Sequence, residues 1–124
     1  MEIHGRDVNF RRTILATCEV AEMSPDGDVN KFDKLLTSKE YAKSQKAAAA
    51  FVAALSKGYE MAREWEEPGY KGKPLTAEEV LSLDDAQFES VFVEALRAWT
   101  GDATITIETE PVKGKGKNED GGSE

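Results

Sequence analysis

Residues 37–67 read TSKEYAKSQKAAAAFVAALSKGYEMAREWEE, and this stretch decides the fold. Tyr41, Ala48, Val52, Leu55, Tyr59 and Ala62 recur at intervals of three, four and seven, the period of one helical face. Phe51, Ala54, Met61 and Trp65 lie beside that stripe, so the apolar face is broad. Thr37 with Glu40 three positions on fits a capping box, in which hydroxyl and carboxylate satisfy the orphaned amides of the first turn. Glu66-Glu67-Pro68-Gly69 stops the helix. A helix of ~28 residues would be ~42 Å long. Ala47 to Ala50 and Ala53-Ala54 have small side chains, so a neighbouring helix can approach closely there. Gly58 costs about 1 kcal/mol against Ala inside a helix, so it marks either a bend or a tight contact.

On the N-terminal side, Ile3, Val8 and Phe10 with a bend at Gly5-Arg6-Asp7 predict a short β-hairpin. Ile14, Leu15, Cys18 and Ala21 then share one helical face, and Ser24-Pro25-Asp26-Gly27-Asp28 ends that helix. A short helix follows over about Val29 to Leu36, with Phe32, Leu35 and Leu36 turned inward.

On the C-terminal side, Tyr70-Lys71-Gly72-Lys73-Pro74 is a connecting loop. Thr76 and Glu79 form a second capping box, opening a short helix through Leu83. Asp84 and Gln87 are a weaker variant that opens the last helix. There Phe88, Val91, Phe92, Ala95, Leu96 and Trp99 give the cleanest amphipathic stripe, and Gly101 is its stop. Residues 103–108 alternate small or apolar with polar types and read as a strand, a candidate third partner for the hairpin. The expectation is a mainly α protein: a small helical bundle around one long helix, with a short N-terminal β-hairpin. Residues 1–109 form the single helical domain, and 110–124 a disordered polar tail.

Composition narrows the function. The chain of 124 residues is the size of one ordinary domain. Its net charge of −8 would repel phosphates on average, which disfavours direct nucleic-acid binding. The longest apolar run, Ala47 to Leu55, is less than half of the ~20 residues a bilayer span needs. Met1-Glu2-Ile3-His4-Gly5 lacks the basic-then-apolar pattern of a secretory leader, and the expectation is a cytoplasmic protein.

Catalytic patterns are missing. Cys18 is the lone cysteine and reads as a small buried apolar residue; His4 is the lone histidine and reads as a turn or strand residue. The pairs Glu66-Glu67, Glu78-Glu79 and Asp84-Asp85 are adjacent on helices, point about 100° apart and do not converge on one substrate atom. Asp26-x-Asp28-x-Asn30 opens like a calcium loop, but Lys31 stands where glycine is needed and Thr37 where glutamate is needed. No phosphate-binding loop ends in Gly-Lys-Ser/Thr ahead of a helix. The residues call for no cofactor and give no reason to call this an enzyme. What remains is surface: the long helix presents more apolar face than short neighbours readily cover, leaving part of the stripe for a partner helix or a second copy.

Four features taken together carry a family resemblance. They are Ile3-His-Gly-Arg-Asp-Val-Asn-Phe10 before a short helix; Ala54-Leu-Ser-Lys-Gly-Tyr-Glu60; Pro74-Leu-Thr-Ala-Glu-Glu-Val-Leu-Ser-Leu83 before an amphipathic final helix; and a polar tail with Lys-Gly-Lys. Over roughly residues 1–108 the chain resembles tail assembly chaperones of long-tailed phages and of prophages in Gram-positive hosts. The resemblance implies a small helical protein of the host cytoplasm that binds the long tape measure protein, keeps it soluble and helps tail tube protein assemble around it. Tyr41, Val52, Leu55, Tyr59 and Trp65 are the expected partner-facing stripe. It also implies a longer form made by ribosomal frameshifting: Lys113-Gly114-Lys115 can be encoded as AAG-GGA-AAG, which contains a slippery G-GGA-AAG run. A head-tail connector or an acidic DNA-mimicking inhibitor is the alternative. Lys34, Lys39, Lys43, Lys46, Lys57, Arg63 and Arg97 mixed among the acids weigh against a mimic.

Overall fold

The structure is a computed structural model that describes residues 1–101. The strand expected over 103–108 and the tail over 110–124 lie outside the described residues. The elements are β1 (Glu2–Ile3), β2 (Arg6–Asp7), α1 (Ile14–Met23), α2 (Asp33–Leu36), α3 (Tyr41–Glu66), α4 (Ala77–Leu81) and α5 (Asp85–Thr100). The chain is mainly α, a helical bundle around one long helix with a short antiparallel hairpin at its start.

α3 has 26 residues, so it is about 39 Å long, and it runs unbroken through Gly58. α1, α2, α4 and α5 all pack against it. Its middle is therefore buried around most of its circumference: Ala47, Ala48, Ala49, Phe51, Val52, Ala54 and Leu55 are core. A helix apolar on nearly all sides is stable only when wrapped in this way. Its two ends, 41–43 and 64–67, project into solvent.

Gly58 marks a tight contact rather than a bend. A Cβ built there would stand 2.5 Å from the Arg11 carbonyl oxygen, 2.8 Å from Thr13 Oγ1 and 3.1 Å from Ala16 Cβ. The missing side chain lets the start of α1 lie on α3, and the Arg11 N–H donates to the Leu55 carbonyl at 3.1 Å. This approach also sets which face of α1 is buried. Ala16 and Val20 face the core, whereas Ile14, Leu15 and Cys18 are exposed, which corrects the expected face and the expected burial of Cys18. Small residues win the inner face because the backbones are so close.

Thr37 does not cap α3. Its hydroxyl donates to the Asp33 carbonyl at 3.0 Å, closing α2, and α3 begins four residues later with Glu40 at its N-cap. The preceding helix claims the residue first. The box at Thr76 and Glu79 is present in both directions, and Asp84 accepts from the Gln87 N–H at 3.0 Å at the start of α5. Gly101, in the left-handed region at φ 75°, ends α5 with its N–H on the Arg97 carbonyl. In the hairpin Glu2 pairs with Asp7 and Ile3 with Arg6, so the turn is His4-Gly5 rather than Gly5-Arg6-Asp7, and both turn residues have positive φ.

Phe51 is the centre of the core. Its ring stacks on Phe32 at 5.4 Å, tilts against Phe92 at 5.8 Å and meets Trp99 edge-on at 5.4 Å, joining α3 to α5 and to the turn before α2. Arg12 covers Trp99 from outside at 3.7 Å from the ring centre and donates to its carbonyl. Among the described residues no helix is long and apolar enough to cross a membrane.

Candidate partner-binding surface

The five residues expected to form one partner-facing stripe are divided by the fold. Val52 and Leu55 are fully buried under the helices that wrap the middle of α3, and they cannot meet a partner. Tyr59 is half-buried, with its hydroxyl 3.5 Å from the Arg63 guanidinium. Tyr41 (73% exposed) and Trp65 (90% exposed) stand free at opposite ends of α3. Twenty-four residues of helix put them roughly 36 Å apart. The middle of this apolar face is core, and only its ends are surface.

The widest of the concave surfaces described lies elsewhere, beside α1. Glu19, Glu22 and Met23 of α1 form one wall of a cleft, and Pro74, Leu75, Thr76 and Ala77 form the other. Ala50, Ala53, Ala54 and Lys57 of α3 make the floor, and the volume is about 600 Å³. The alanine run carries the signal for this cleft, since small side chains on α3 leave room between its neighbours. Lys57 bridges floor and wall through a 2.6 Å ion pair with Glu19.

The second wall is held by α3 itself. The Glu60 carboxylate, buried beside the loop, accepts from the Tyr70 hydroxyl at 2.5 Å and from the Lys73 N–H at 3.1 Å. Glu64 accepts from the Gly72 N–H at 2.7 Å, and Ser56 Oγ from the Leu75 N–H at 2.9 Å. Arg63 lies 4.2 Å over the Tyr70 ring. The bond to Glu60 and partial burial hold the Tyr70 phenol protonated beyond its usual range. Buried donors and acceptors in this strap are thus paired, which fixes residues 70–75 against α3. Glu60, Glu64 and Ser56 at positions four apart on one helix were the available sign of this, yet their loop partners could not be read without the fold.

Several other charged groups serve the fold. Glu79 caps α4 and, with Lys73, receives Arg6 from the hairpin: Arg6 Nη1 donates to the Lys73 carbonyl at 2.6 Å and Nη2 lies 3.3 Å from the Glu79 carboxylate. The Thr76 N–H, and then Arg6, hold the Glu79 carboxyl below its usual range. In the calcium-like segment, Asp26 pairs with Lys31 at 2.8 Å and Asp28 caps the next turn through the Asn30 N–H. Among the described residues no group of three or more His, Cys, Asp or Glu side chains is placed to hold a metal ion.

No protein family, no characterised protein and no solved structure matches this chain.

Proposed function

We propose that this chain is a non-catalytic tail assembly chaperone of a phage or prophage. It holds an apolar helical segment of a tape measure protein in the cleft beside α1, in the host cytoplasm, until tail tube protein assembles around that segment. The observation that supports the reading best is the alanine-floored cleft of about 600 Å³. Small floor residues let a helix backbone come close, so the guest buries its side chains without the host rearranging. The resemblance in residues 1–108 supplies the biological setting. Holding is reversible, with no covalent step and no nucleotide, and the charge of −8 keeps the loaded protein soluble.

The test is capture from the native source. The chain is tagged at its N-terminus at its own locus, phage production is induced, and the captured proteins are identified by mass spectrometry. A very long, helix-rich protein is expected. Ala53→Glu places a charge on the cleft floor and should lower that capture at least about tenfold, or 1.4 kcal/mol, with unchanged circular dichroism. Capsid components or DNA-binding proteins without a long helical partner would overturn the reading in favour of a connector or an inhibitor.

A further inference from the structure

The floor of the cleft continues past its walls. At about 100° per residue, positions 43, 46, 50, 53, 54 and 57 of α3 share a sector of about 100° on one helix face. Ala50, Ala53, Ala54 and Lys57 are the part of that row between the walls. Lys43 and Lys46 carry it about two turns further toward the start of α3, and both are exposed. Both walls run along α3: Arg11 lies at Glu66 and Glu19 at Lys57 on one side, Gly72 at Glu64 and Leu75 at Ser56 on the other. A helix seated between them therefore also lies along α3, and its axis leads over Lys46 and Lys43.

Charge changes along this row. Inside the cleft Lys57 is matched by Glu19 at 2.6 Å, and Glu22 stands exposed on the α1 wall. Lys43 and Lys46 have no ion pair among the described residues. The first turn of α3 holds no acidic residue, and Glu40 ahead of it makes no ion pair with Lys43. We infer that the guest helix, on the reading proposed above, is apolar over two turns and acidic over the next two. Its apolar turns sit on Ala50, Ala53 and Ala54, and its carboxylates meet Lys46 and Lys43. A carboxylate over the alanines would instead face Glu22, so the same charges fix where along α3 the guest stops. From Lys57 to Lys43 the row is roughly 21 Å long, which matches a guest segment of about 15 residues.

The experiment is fluorescence anisotropy of labelled synthetic helical peptides with the full chain at physiological salt. There the Debye length is about 8 Å, so contacts count and the net charge of the chain is largely screened. The peptides share a leucine stripe over two turns and carry either glutamates or lysines over the next two. Exposed ion pairs are individually weak, but two attractive against two repulsive ones should favour the glutamate peptide at least about fivefold. Lys43→Glu with Lys46→Glu should reverse that order, a gain for the lysine peptide that misfolding could not produce. Lys34→Glu with Lys71→Glu changes the net charge equally but lies off the row, and should keep the wild-type order. Ala53→Glu should weaken both peptides. Equal binding of the two peptides that Ala53→Glu abolishes would overturn this inference and leave the cleft as a holding site. A charge preference that Ala53→Glu does not weaken would overturn it too, since the lysines would then act apart from the cleft. Binding of neither peptide would overturn the holding site and the inference together.

Discussion

The Glu79 side chain accepts from the Thr76 N–H at 3.0 Å while Thr76 Oγ1 accepts from the Glu79 N–H at 3.1 Å, and the same carboxylate faces Arg6. One residue therefore closes the first turn of α4 and ties the hairpin to it. Both contacts favour the charged form, first the Thr76 N–H and then Arg6, so the folded carboxyl titrates below its usual range. A depressed folded pKa contributes stability that is present above the unfolded value, about 4.3 for glutamate, and is lost as pH falls through the folded value. Glu79→Gln keeps an acceptor for Thr76 but loses the charge. The wild type should have a higher urea midpoint than Glu79→Gln at pH 7, and the gap should close below about pH 4. Midpoints measured across that range check it.

Helix propensity and packing disagree over Gly58 in α3. Replacing glycine by alanine in a helix interior gains about 1 kcal/mol from propensity alone. Here the new methyl would stand 2.5 Å from a backbone oxygen of the segment entering α1, an atom that cannot swing aside. Overpacking of this kind costs about 1–3 kcal/mol, and it would also strain the Arg11 to Leu55 backbone bond. Gly58→Ala should therefore destabilise despite its better propensity, and thermal unfolding should show a lower midpoint. A raised midpoint would mean that α1 sits on α3 less closely than these distances require. The contact explains why the elements are paired as they are: α1 lies where α3 has no side chain.

For the whole molecule the corresponding residue is Phe51. It is 1% exposed and touches rings from the turn before α2 and from α5, so three parts of the chain depend on one side chain. Phe51→Ala should cost about 3–5 kcal/mol. That is a large share of the roughly 5–15 kcal/mol that holds a domain of this size together. Calorimetry should show a lower and broader transition, and hydrogen exchange should show α5 losing amide protection before α3. The hairpin, joined to α4 by Arg6 rather than to this aromatic cluster, should loosen later than α5.

The sequence by itself determined the helical class, the extent of the long helix to within a few residues, the caps at Thr76 and Asp84, and the stop at Gly101. These follow from local rules: apolar period, capping chemistry and backbone freedom act within one turn or a few. It also placed small residues on α3 where a neighbour could approach closely, but not the cleft that forms above them. Tertiary structure alone decided which face of α1 is inside, because Ile14, Leu15, Cys18, Ala16 and Val20 leave the helix apolar on both sides and periodicity cannot choose between them. It decided that Thr37 closes α2 and not α3, since two neighbouring helices compete for one hydroxyl. It decided that Val52 and Leu55 are core while Tyr41 and Trp65 are surface. All four lie on or beside the apolar face of one helix, and whether such a face is buried depends on what packs over it, which is a property of the other helices rather than of the one that carries it.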